Sequence, residues 1–145
     1  MPTLFSYGSN NMDQLAARLG HTVDGTAAFV EGWQRVFRGH STRWGGGVAT
    51  LVKKDAGVTY GYVASVSSYD LDILDEYEGV ASGRYRRKNM KVRVGPSFTA
   101  APRQAVVYVS SSRAFGAPTA AYLKAVAKTV GEFWDNVNPG SFPIR

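Results

Sequence analysis

The apolar positions change period several times along the chain, and each change marks an element. Leu4, Phe5 and Tyr7 form a short N-terminal run that reads as a strand and breaks at Gly8-Ser9-Asn10-Asn11. Leu15, Ala16 and Leu19 then recur at helical spacing, with Gly20 as a stop and Asn10 or Asn11 as the cap. The chain therefore opens with a strand, a polar turn and a helix, and backbone N–H groups gather at the helix start. Residues 32–38, 48–52 and 58–66 are rich in β-branched and aromatic side chains separated by glycines, which predicts three strands. Ser67-Ser68-Tyr69-Asp70 has capping-box spacing, so a helix is expected from near Ser68 to Gly79. Two further strands are expected over 85–94 and 104–110. Pro118 then opens a helix carrying Tyr122, Leu123, Val126 and Val130 that ends near Trp134. The tail is a proline-punctuated coil over about 136–145. No repeat, linker or low-complexity segment interrupts the pattern, which predicts one α+β domain over residues 1–145, dominated by sheet.

Composition narrows the chemistry. A chain of 145 residues with 44% hydrophobic and 19% charged residues suits one globular core. Without cysteine there is no thiol nucleophile and no disulfide framework, and two histidines cannot build a multi-histidine zinc site. The expectation is chemistry that needs no metal or cofactor. No apolar run is long enough to span a bilayer, and residues 2–7 lack a basic start and a long apolar segment. The chain reads as soluble and cytoplasmic, with no membrane partner. A net charge of +6 fits either simple solubility or attraction to an anionic partner.

The stretch Leu74-Asp75-Glu76-Tyr77-Glu78-Gly79 places three acids in four positions. On a helix, Leu71, Ile73, Leu74 and Tyr77 define the apolar direction. Glu78 lies about 70° from it, whereas Asp72, Asp75 and Glu76 lie about 130–170° away and should face solvent. A carboxylate held beside a core loses solvation and its pKa rises, the condition for a general base near neutral pH. The alternative is a rim ion pair between Glu78 and Arg84, Arg86 or Arg87.

Three separated pieces then resemble one family. Phe5-Ser6-Tyr7-Gly8-Ser9-Asn10 is similar to the YGSN signature of the gamma-glutamylcyclotransferase-like family. Gly46-Gly47-Val48-Ala49-Thr50 resembles its glycine-rich strand entry. Asp70-Leu71-x-x-Leu74-Asp75-x-x-Glu78-Gly79-Val80, followed by Gly83-x-Tyr85-x-Arg87, resembles its acidic helix and the tyrosine strand after it. Order and spacing agree from Leu4 to about Val130, and after Val126 the match fades. The resemblance implies a small mixed β-barrel with flanking helices and a cleft at the barrel mouth. It implies Glu78 as catalytic acid/base and the loop Tyr7, Gly8, Ser9 and Asn10 as the binding site for a γ-glutamyl group. It further implies Tyr85 and Tyr108 as cleft-lining tyrosines.

The implied reaction is intramolecular attack of an α-amine on a γ-carbonyl, releasing 5-oxoproline and an amine or amino acid. The substrate head group would be common to γ-glutamyl amino acids, glutathione and γ-glutamyl-ε-lysine. An arginine near the cleft, with Arg35, Arg43 and Arg87 as candidates, would favour a leaving group with a free carboxylate. Gly45-Gly46-Gly47 lacks the Gly-Lys-Ser/Thr of a phosphate loop, and a tight turn or a close approach to ligand fits it better. One rival is a metabolite-binding protein on the same fold without catalysis. Another is a basic nucleic-acid module using Arg84, Arg86, Arg87, Lys88, Lys91 and Arg93 around Tyr85. Alternation places Lys91 and Arg93 opposite Met90, Val92 and Val94, as on the solvated face of a half-buried strand, so no nucleic-acid partner is expected. The sequence does not address oligomeric state.

Overall fold

The computed structural model describes residues 1–95, 97 and 99–135. The coil expected over about 136–145 lies outside the described residues. The elements run β1 (Thr3–Ser6), α1 (Met12–Leu19), β2 (Gly25–Ser41), β3 (Gly46–Ser65), α2 (Ser68–Glu78), β4 (Tyr85–Val94), β5 (Pro102–Ser110) and α3 (Ala120–Gly131). The strands close into a barrel in the order β1-β3-β2-β4-β5. Only the seam between β1 and β5, at Leu4 and Val106, is parallel; the other pairings are antiparallel. This is an α+β fold built on a mixed barrel with three helices among the described residues.

Alternation along the strands separates two cores. Phe5, Val63, Val107 and Val109 point to one core, which Tyr122, Val126 and Val130 of α3 complete. Leu4, Tyr62, Ala64 and Tyr108 point the other way, onto Leu15 and Leu19 of α1 and Leu71 and Leu74 of α2. The period of two in the strands and the 3.6 of the helices thus meet on one barrel wall. Strand closure requires close approach. A Cβ on Gly61 would stand 2.1 Å from the Ser6 carbonyl oxygen, and one on Gly47 would stand 2.0 Å from that of Gly116.

The hairpin is longer than the pattern predicts. The strand expected over 32–38 is the middle of β2, which starts at Gly25. The segments expected over 48–52 and 58–66 are one strand, β3, whose register with β2 shifts between Glu31 and Trp33. Residues 54–57, between the paired Lys53 and Val58, form a bulge opposite Gly32 rather than a turn, and Ala56 takes a left-handed φ of 62° there. The last helix starts two residues after Pro118, because the Thr119 side chain accepts from the Tyr122 N–H and caps it. It ends at Gly131, short of Trp134.

Candidate active site

A cleft of about 580 Å³ opens at one end of the barrel. Its walls include residues 4–10, both ends of the turn between β2 and β3, the end of α2, the start of β4, the end of β5 and Tyr122 of α3. Tyr7, Gly8, Ser9, Asn10, Glu78, Tyr85 and Tyr108 all line it.

The loop after β1 is fixed through its carbonyls. Arg35 Nε donates to the Tyr7 oxygen (3.0 Å), and Ser6 Oγ and Tyr62 Oη donate to that of Asn10 (2.8 and 2.6 Å). Asn11, not Asn10, caps α1, its side chain accepting from the Gln14 N–H. The Asn11 N–H closes a turn onto the Ser9 oxygen (2.9 Å). The N–H groups of Gly8, Ser9 and Asn10 make no hydrogen bond among the described residues. Three adjacent amide donors at a strand-to-helix turn, in a cleft wall, form a site suited to a carboxylate or an oxyanion.

Glu78 enters from the opposite helix. The Ser67–Asp70 capping box starts α2, and Gly79 ends it in a left-handed conformation, with the Val80 N–H returning to the Asp75 oxygen. Glu78 therefore occupies the last helical position, where the chain turns away and leaves the carboxylate at the cleft. Its side chain is 19% exposed. Burial raises its pKa above the usual carboxylate value, and the charges of Arg18 and Arg84 oppose that rise. The Glu78 charge in turn acts on the hydroxyls of Tyr7, Tyr85, Tyr108 and Tyr122.

The tyrosines are positioned by their own bonds. Tyr7 is buried, and its hydroxyl donates to the Tyr108 carbonyl (2.5 Å). Tyr85 Oη donates to the Ala49 carbonyl (3.0 Å), and Tyr122 Oη accepts from the Ala49 N–H (2.8 Å). Burial pushes Tyr122 up to about 12, with Ser9 among the neighbours that oppose the rise. Tyr108 Oη donates to Asp75 Oδ1 (2.7 Å). Burial is likewise the main reason that Tyr7, Tyr85 and Tyr108 titrate higher than an ordinary tyrosine. These phenols stay neutral near pH 7 and can serve as hydrogen-bonding groups rather than bases.

Several expectations change. The ion partner of Glu78 is Arg18 of α1 (3.8 Å), whereas Arg87 binds Asp75 (2.7 Å) and Asp72 (3.3 Å) outside the cleft. Asp75 is therefore not a free solvent acid. Burial raises its pKa, but bonds from Arg87 and Tyr108 outweigh this and hold it below the ordinary value. Tyr77, assigned to the apolar face, is 49% exposed, with the Arg18 guanidinium over its ring at 4.7 Å. Arg35 is buried behind the loop rather than lining the cleft, and burial pushes it down to about 10. The close approach at Gly46 and Gly47 is to the backbone of residues 116–119, not to ligand space. On β4, Arg87 and Arg93 are taken up in ion pairs, with Asp75 and Glu31, and Lys88 sits over Trp33.

Arg18 is the residue that the sequence reading missed. Its spacing of three from Leu15 was the available signal, since that places it beside the buried face of α1. Its Nε is buried without a partner, as are Gln14 Oε1, four residues earlier on the same side of α1, and Asn10 Oδ1 in the loop before the helix. Arg38, Arg43, Trp44 and Ser110–Ser112 also line the cleft.

Similar proteins agree with this architecture. A solved structure named "Gamma-glutamyl cyclotransferase" superposes with a TM-score of 0.85 at 20% identity, covering 99% of this chain and 89% of that one. An uncharacterized protein from Homo sapiens gives 0.84 at 21% identity, covering 99% and 88%. A cyclotransferase from yeast, named as specific to glutathione, gives 0.59 at 14% identity, covering 97% and 82%. At these identities the likeness is one of fold. No curated protein matches the chain by sequence. Residues 4–126 match the family described as "Gamma-glutamyl cyclotransferase, AIG2-like", and the chain belongs to that family.

Proposed function

We propose that this protein cyclises a γ-glutamyl compound, releasing 5-oxoproline and an amine, with Glu78 as general acid/base. The observation that carries the reading is a mostly buried carboxylate with a raised pKa sharing a cleft with three unengaged backbone N–H groups. The substrate holds its own nucleophile, so attack forms a five-membered ring without a second reactant, and tethering removes much of the entropic barrier.

Three tasks remain for the protein. Glu78 accepts a proton from the α-ammonium, freeing the lone pair that attacks the γ-carbonyl carbon. Amides in the loop 8–10 stabilise the oxyanion or hold the α-carboxylate, and tyrosine hydroxyls complete the polar wall. Collapse of the tetrahedral intermediate breaks the bond to the leaving nitrogen, which takes that proton from Glu78. The ring nitrogen, left cationic by its attack, gives up a second proton through the same carboxylate to the departing amine, which leaves as an ammonium. No water is consumed, and two protons in all pass from the α-nitrogen to the leaving nitrogen. Arg18 and Arg84 oppose the rise in the Glu78 pKa and so favour the ionised form that accepts the proton.

The test is product identity. The protein is incubated with γ-glutamyl-alanine, glutathione and γ-glutamyl-ε-lysine, and the products are separated. Cyclisation gives 5-oxoproline and free amine in equal amounts from at least one compound. Free glutamate in place of 5-oxoproline would mean hydrolysis. Binding without turnover would mean that the cleft only sequesters its ligand.

A further inference from the structure

The cleft is divided by charge. Four arginines line it, Arg18, Arg38, Arg43 and Arg84, against a single acid, Glu78. Arg18 and Arg84 both act on Glu78. Arg38 and Arg43, at the β2–β3 end, form no ion pair among the described residues.

Arg43 stands on an anchored turn. The Gly45 N–H donates to the Ser41 oxygen (2.7 Å), and Thr119 Oγ1 donates to that of Trp44 (3.1 Å). The Trp44 ring meets Tyr122 edge-on at 5.1 Å, and the Arg43 guanidinium lies over the Trp44 ring at 5.9 Å. Its charge reaches Arg18: after burial, repulsion from Arg43 is a further cause lowering the Arg18 pKa. The Arg18 Nε is itself buried and unpartnered. Two like charges within electrostatic reach in a partly desolvated cleft favour an anion placed near both.

Substrate chemistry decides which anion that is. The α-carboxylate shares a carbon with the attacking amine, so it stays beside Glu78 and the loop 8–10. The substituent on the leaving nitrogen lies outside the forming ring and extends away from that end. We propose that Arg43 is a specificity-determining residue that, together with Arg18, selects a leaving amine bearing a carboxylate over a neutral one. This deepens the cyclisation reading and rests on it.

The measurement compares kcat/KM for γ-glutamyl-alanine and γ-glutamyl-alaninamide, which differ only in that carboxylate. Wild type should favour the acid by about tenfold, as expected for a charge-assisted contact. In Arg43→Gln the ratio should fall toward one, and Arg43→Lys should restore part of it. Added salt should shrink the wild-type ratio. A wild-type ratio near one, or a ratio that Arg43→Gln leaves unchanged, overturns the inference while cyclisation itself stands. If folded wild type releases 5-oxoproline from neither compound but does so from glutathione or γ-glutamyl-ε-lysine, this inference fails alone. Release from none of the four sinks the cyclisation reading and this inference with it.

Discussion

At the residue scale, spacing placed Glu78 on the flank of a buried face, and the family resemblance, not spacing, marked it as the acid/base candidate. Its neighbours were not legible. Arg18 reaches it from another helix, and no local pattern encodes a contact across 60 residues of chain. Tyr7 is one of several aromatic residues in strands until the barrel turns its hydroxyl onto the Tyr108 carbonyl. The raised Glu78 pKa has two consequences. The acid limb of kcat/KM should lie above the ordinary glutamate value of 4.5, because the base must be ionised; a limb at or below that value contradicts the desolvation argument. The same shift affects stability. The folded protein holds this proton more tightly than the unfolded chain, so the contribution is most favourable below 4.5 and is lost as pH rises through the folded value. Glu78→Gln should therefore gain stability relative to wild type between about pH 4 and pH 8. Thermal melts of both proteins across that range check the sign.

At the element scale, helices were read closely and strands only in part. The caps of α1 and α2 are local, written in Asn11, Gly20, Ser67, Asp70 and Gly79. The length of the β2–β3 hairpin depends on pairing across the sheet, which lets a bulge at residues 54–57 continue a strand that local propensity would end. Asp70 joins two elements. It completes the α2 capping box and accepts from His21 just beyond α1 (2.9 Å). Burial raises its pKa, but hydrogen bonds from His21 and Ser67 outweigh this and lower it, while the bond to Asp70 raises that of His21. The His21 contribution is thus full below its ordinary 6.5 and disappears as pH rises through its folded value. His21→Ala should lower the melting temperature at about pH 5.5 and have little effect at about pH 8.5. Asp70→Ala, which removes the cap as well, should cost about 1–2 kcal/mol in chemical denaturation at neutral pH. An equal effect of His21→Ala at both pH values would contradict the pairing.

At the scale of the whole molecule, closure of the barrel brings together chemistry that the sequence spreads over more than 100 residues. The loop 7–10 follows β1, Glu78 ends α2, and Tyr108 lies on β5, next to β1 in the closed sheet. The α+β class was read from the hydrophobic pattern and the barrel from resemblance; closure itself depends on backbone contacts such as Gly61 against Ser6, which no side-chain pattern records. Gly61→Ala should destabilise by about 2 kcal/mol or more, since backbone rather than a flexible side chain must move, and urea unfolding measures it. The central claim is that this assembled cleft cyclises γ-glutamyl compounds through one carboxylate. Its most direct test is 5-oxoproline release by wild type and by Glu78→Gln, both verified as folded, on whichever compound wild type turns over. The account predicts a loss of about 10²-fold or more in kcat, with substrate still bound. A Glu78→Gln enzyme that works within a few-fold of wild type would contradict it.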